Sequence, residues 1–164
     1  MLSNSTLPLW SNTNLLLLYF MISIKEIFDQ GRNYSFPRPP NCLRCDSTRI
    51  WGHGYVEVYF DGYNTAIELK RYRCDDCNRV YTIRPFGYWS RHHVSITVIV
   101  QRLWYKVEHG IWDKDTITRQ RQLHWLKALK KNRLVHLGIS YGGDFWKGIC
   151  DLIHLEKIPI QRLV

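Results

Sequence analysis

Acidic residues are scarce in this chain: 14 Asp and Glu stand against 23 Lys and Arg in 164 residues, a formal charge of +9. Such a balance disfavours cationic partners and suits polyanions, nucleic acid first, although a plain solubility charge gives the same number. Long apolar runs are also missing. The longest, Leu15 to Ile24 broken by Ser23, is about half of the ~20 residues a membrane-spanning helix needs, so no membrane span is expected. No cation precedes that run, as a secretory leader would require. Cysteine is limited to five, an odd count that argues against a secreted disulfide scaffold. A glycine-rich phosphate loop, a nucleophile–base pair and an open metal site are absent from the pattern, so the chain is not expected to be an enzyme or to take a small-molecule substrate.

What is present describes a folded protein. Hydrophobic residues make up 45% and aromatics 14%, with seven Trp and ten Tyr, which excludes global disorder and lets a small core bury much area per residue. The first twenty residues carry no Lys, Arg, Asp or Glu, and a more ordinary sequence begins at Met21. Residues 1–36 read as a tail with a short helix around Ile22 to Gln30, stopped at Gly31. Pro37, Pro39 and Pro40 make 37–40 a stiff linker.

A β-rich unit is expected over 41–86. Tyr55 to Phe60 suits a strand and Asp61-Gly62 a turn. Ala66 to Tyr72 alternates, with Ile67 and Leu69 on one face and Glu68 and Lys70 on the other, and Val80 to Ile83 is a third short strand. A helical unit is expected over 90–135. Ile96, Ile99, Val100, Leu103 and Val107 recur at helical spacing up to His109-Gly110. A second helix, from about Thr116 to Lys131, carries Leu123, Leu126 and Leu129 and takes its cap from Asp115 or Thr116. Residues 136–164 form a C-terminal segment. The fold class is α+β: a small β-rich ribbon followed by a helical, helix-turn-helix-like unit.

Two motifs carry chemistry. Cys42-Leu43-Arg44-Cys45 and Cys74-Asp75-Asp76-Cys77 lie 28 residues apart. Two residues between cysteines let both sulfurs of a tight turn aim at one centre, and two such knuckles supply the tetrahedron of thiolates that structural zinc accepts. An iron–sulfur cluster also takes four thiolates, but symmetrical knuckles flanking a hairpin favour zinc. With every position filled by protein, that zinc is structural, not catalytic. Arg44, Lys70, Arg71 and Arg73 are placed to offset its negative charge. His53 reads as a hairpin residue and Cys150 as a small buried apolar one.

The second motif is basic. Six Lys or Arg and one Asp fall between Asp115 and Arg133. Arg119, Gln120, Arg121 and Gln122 are the kinds of side chain that read base edges, and Lys127, Lys130, Lys131 and Arg133 suit phosphates. Base readers at the start of a recognition helix match the usual docking. Trp104 and Trp125 are expected in the core. Tyr88 to His93 either touches a nucleic-acid backbone or packs between the two units.

The segment from Pro39 to Trp89, with Trp51-Gly52-His53-Gly54, Lys70-Arg71-Tyr72-Arg73-Cys74-Asp75-Asp76-Cys77-Asn78-Arg79-Val80-Tyr81 and Pro85-Phe86-Gly87-Tyr88-Trp89, resembles the zinc ribbons of transposase-like proteins. Residues 117–131 are similar to the recognition helix that follows such ribbons. The resemblance implies double-stranded DNA as partner, in a cytoplasmic, nucleoid-associated protein of a mobile element. It also implies a separate transposition or transcription subunit, because only about 30 residues follow the basic helix, too few for a catalytic domain. The other use of such a ribbon is docking on a transcription or transposition complex.

Overall fold

The computed structural model describes residues 22–113 and 117–162. A helix, α1 (Ile24–Gln30), opens it, and Gly31 ends the helix at φ 55° before a 3-10 turn over Gly31–Asn33. Three strands follow, β1 (Ile50–Val58), β2 (Ile67–Cys74) and β3 (Val80–Thr82), in one antiparallel sheet of order β1-β2-β3. Three helices complete the chain: α2 (Ile96–His109), α3 (Arg119–Leu137) and α4 (Phe145–His154). The fold is thus α+β, with a helical unit after the sheet. Among the described residues no helix is long and apolar enough to cross a membrane.

The first strand begins five residues before the expected Tyr55 and takes in Trp51-Gly52-His53-Gly54. Pairing explains the extension. Ile50 lies opposite Cys74, so the strand runs between the two knuckles, and the cysteine turns anchor residues whose own strand propensity is poor. Gly52 pairs with Tyr72 and Tyr55 with Lys70, so three steps on β1 match two on β2. The extra residue is a bulge, and Gly54 at φ 78° supplies the left-handed conformation it needs.

Residues 22–36 do not stand apart as a tail. Ile22 and Ile27 are buried in the same core as Ile50, Phe60, Ile67, Leu69, Tyr72, Tyr81 and Ile83. The Pro37–Pro40 stretch is likewise packed: Pro39 is fully buried, and the Arg38 guanidinium donates to the Ile50 carbonyl. A stiff extended segment is well suited to lie against a sheet, because little backbone entropy remains to be lost.

A second core joins Trp89, Val94, Ile99, Leu103, Ile117, Trp125, Leu126 and Leu129 to Ile149, Leu152, Ile158 and Ile160. The C-terminal segment therefore belongs to the helical unit. Ser95 caps α2 by accepting from the Val98 N–H, and Gly110 closes it at φ 70°. Thr118 caps α3, a few residues later than expected, by accepting from the Arg121 N–H. Asp115 and Thr116 lie outside the described residues, as do residues 1–20 and Met21.

Two side chains depart from the expected packing. Val107 is exposed although the helical period placed it with Ile99 and Leu103. Cys150, expected to be buried, is exposed on α4.

Candidate functional site

The two cysteine turns are built alike. In the first, the Asp46 N–H donates to the Cys42 carbonyl at 2.8 Å and the Cys42 N–H to the Ser47 carbonyl at 2.8 Å. In the second, the Cys74 N–H donates to the Arg79 carbonyl at 2.9 Å. Each turn places a short polar residue in the left-handed region directly after its second cysteine, Asp46 at φ 57° and Asn78 at φ 58°. Asp and Asn tolerate that region better than most side chains. Both carboxamide or carboxylate groups are held: Asp46 accepts from Asn41 and Asn78 from Arg73.

These turns bring four sulfurs together. Cys42, Cys45, Cys74 and Cys77 offer Sγ atoms that all lie within 4.8 Å of one another, an arrangement able to hold a metal ion. The closest approaches cross between the knuckles, Cys42 to Cys77 at 3.5 Å and Cys45 to Cys74 at 3.6 Å. Cys42 and Cys74 are buried and Cys45 is exposed. His53 is exposed on β1 and takes no place in the cluster.

Charge at the sulfurs is managed locally. Burial pushes the Cys42 thiol up, but hydrogen bonds from the Tyr81 hydroxyl, 2.8 Å away, and from the Arg44 and Cys45 N–H groups outweigh it and bring the thiol down to about 6. Cys45 receives a lowering N–H contact from Ser47, yet burial and the neighbouring sulfurs push it up to about 12. Tyr81 itself is raised, by its burial first and then by Cys42.

Two of the basic side chains expected to compensate the thiolates, Lys70 and Arg73, are engaged elsewhere. Lys70 rests its ammonium 4.3 Å from the Tyr55 ring centre, and Arg73 donates to Asn78 at 2.7 Å. Arg44 contributes its backbone N–H to Cys42, at 3.4 Å. Tyr81 was not anticipated as part of the site. The signal for it was its position on β3 four residues beyond Cys77, opposite Tyr72, which only the register reveals.

The basic helix separates into two faces. Arg119, Gln120, Lys127, Lys130 and Lys131 are exposed, together with His124. Gln122 is not on that face and is withdrawn from the base-reading set. It is fully buried, its amide donating to the carbonyls of Ile117 at 2.9 Å and Asp113 at 3.2 Å, so it fastens the loop before α3. Arg121 is engaged as well: it pairs with Asp61 at 2.9 Å and lies over the Trp125 ring. Arg133 crosses to α4, donating to the Gly143 carbonyl at 2.7 Å, with its guanidinium over the Tyr141 ring and against Gly148. The helical period explains these errors. Gln122 and Arg133 fall on the stripe of Trp125, Leu126 and Leu129, but polar side chains there carry no apolar mark.

The Tyr88 to His93 stretch packs between the units, the second of its two expected uses. Tyr88 enters the ribbon core and Trp89 the helical core. His92 is brought down to about 4 by burial and by the charges of Arg121 and Arg84, so it is neutral at neutral pH. Trp125 is in the core as expected, whereas Trp104 is partly exposed.

The fold and cluster define an α+β protein with a four-cysteine cluster able to hold a metal ion and a helical unit after the sheet. No family model, curated protein or solved structure matches the chain.

Proposed function

We propose that this is a zinc-dependent, non-catalytic protein that binds double-stranded DNA, as the site-recognising or regulatory component of a transposable element. The observation that carries the DNA reading is the outer face of α3. Gln120, His124, Lys127 and Lys131 follow one another at helical spacing, flanked by Arg119 and Lys130, and no acid occurs anywhere from Arg119 to Leu137. Like charges four apart, such as Lys127 and Lys131, destabilise an isolated helix. Arg119 and Arg121 also face the positive end of the helix dipole. A polyanion lying along this face relieves both costs.

Zinc is the metal the donor set fits best. Arms of about 2.3 Å in a tetrahedron put sulfurs about 3.8 Å apart, close to the 3.5 and 3.6 Å of the two nearest pairs. The ion would supply a crosslink between knuckles, and four protein ligands leave no position for a substrate. The resemblance of the ribbon to transposase-like proteins supports the mobile-element context, with catalysis in a separate subunit and a nucleoid-associated, cytoplasmic location.

A duplex titration at several salt concentrations tests this reading. Four or five phosphate contacts give a slope of log affinity on log salt of about −4. Lys127→Glu and Lys131→Glu should each flatten that slope by about one or more and weaken binding to all sequences, while Arg119→Ala and Gln120→Ala relax sequence preference. Binding insensitive to salt and to these changes would favour the second reading, a ribbon that docks on a transcription or transposition complex. The exposed Trp51 and the place of β1 at the edge of the sheet are the features that support that use.

A further inference from the structure

A cleft of about 430 Å³ opens where the end of α2 and the middle of α3 meet the start of α4. Its volume lies in the range of roughly 300–1,000 Å³ usual for ligand clefts. Val107, Leu126, Leu129 and Phe145 give it an apolar lining, and Lys106, Lys130 and Arg133 add three cations. The single carboxylate among the lining residues, Asp144, is occupied as the cap of α4, accepting from the Lys147 N–H at 2.7 Å.

We infer that this cleft is a docking site for an acidic peptide segment that carries an apolar anchor. Charge complementarity selects the occupant. Lys106 donates to the Gly110 carbonyl and lies over the Trp112 ring, and Arg133 donates to the Gly143 carbonyl. Those contacts hold the side chains in place but neutralise neither charge, since both acceptors are uncharged. Lys130 is exposed. An acidic side chain entering here meets two or three cations that make no ion pair among the described residues, against one carboxylate, Asp144, while its apolar neighbour covers Val107, which is 51% exposed. Ile111 and Leu134, next in the chain to Gly110 and Arg133, extend exposed apolar surface beyond the lining residues.

DNA does not suit this lining, because phosphates gain nothing from Leu126, Leu129 and Phe145. Leu126, Leu129 and Arg133 also lie on a different side of α3 from Gln120, Lys127 and Lys131, by about 100° or more at 100° per residue. Lys130 borders both surfaces, but the remaining side chains differ, and the peptide site does not rest on the DNA reading.

The test uses the metal-loaded full chain and a fluorescein-labelled twelve-residue peptide, a Leu-Phe pair flanked by Asp and Glu. Anisotropy should show saturable binding, at least tenfold weaker when the acids become Asn and Gln and at least tenfold weaker when Leu-Phe becomes Ser-Ser. Val107→Glu and Lys106→Glu should each weaken it tenfold, and Lys127→Glu should leave it unchanged. Should Val107→Glu fail to fold, methyl NMR on the native chain decides: shifts at Val107, Leu126 and Leu129 support the site. Absence of saturable binding, equal binding of the neutral peptide, shifts elsewhere, or loss of binding in Lys127→Glu would each overturn it. Loss of duplex binding with peptide binding intact would defeat the DNA reading alone.

Discussion

Tyr88 and Trp89 are adjacent in the chain, yet one closes the ribbon core and the other the helical core. The two halves they divide are held by different means. The ribbon ends in a three-residue strand and a ring of four sulfurs, so its far end depends on thiolates that repel one another unless a cation sits among them. The helical half closes itself. Its aliphatic residues from three helices and the C-terminal stretch are secured by two buried amides, Gln122 and Asn132. Asn132 donates to the carbonyls of Ala128, Pro159 and Gln161 at 2.8 to 3.0 Å and so ties the chain end to α3. Both halves bury an apolar core, but among the described residues only the ribbon adds four sulfurs able to hold a metal ion, and the contrast can be broken by experiment.

Metal removal should have the largest effect. Structural zinc contributes apparent free energies of about 10–16 kcal/mol in small zinc-finger peptides. Chelation, or Cys74→Ser, should therefore unfold β1, β2 and β3 while the helical signal of α2, α3 and α4 persists in circular dichroism. Concerted loss of both signals would show that the halves fold as one. The complementary change is Leu103→Ala, at a site 1% exposed. A truncation of this kind costs about 2–5 kcal/mol and should lower the melting of the helices while a colorimetric assay still finds the metal bound.

Smaller effects sharpen the comparison. Asn132→Ala leaves the Pro159 and Gln161 carbonyls without their donor, at a cost of about 1–3 kcal/mol. Hydrogen exchange should show the segment after α4 loosening first. Tyr81→Phe removes the hydroxyl that helps hold the Cys42 thiol at about 6 against an ordinary 9. A depressed thiol contributes stability present above its ordinary value and lost as pH falls through about 6, so the variant should release metal at a higher pH than the native chain. The drop in metal affinity at neutral pH should be about tenfold, the lower end for a group that supports a metal ligand.

Legibility differed between the halves for a physical reason. The cysteine pairs announced themselves because metal coordination needs particular atoms at a particular spacing, and the fold brings all four sulfurs together. On α3 the same reading went astray. Gln122 resembles a base reader and is a core fastener, and Arg133 keeps its charge but also braces α3 against the segment before α4. Amide and guanidinium groups serve equally well inside and outside, and only the helix's rotation tells them apart. Val107 failed in the opposite sense: it has the apolar mark of a core position but lies open beside the cleft.

By itself the amino-acid order determined the α+β class, the cysteine knuckles, the glycine stops of α1 and α2, and a helix rich in cations without acids. These follow from local backbone preference and from chemistry carried by single side chains. The tertiary structure decided which of those cations remain open, that Tyr81 supports a sulfur, that the N-terminal and C-terminal segments complete the two cores, and that a cleft with cations around apolar residues exists. Each of those depends on contacts between residues far apart in the chain, and packing alone fixes which side chains meet.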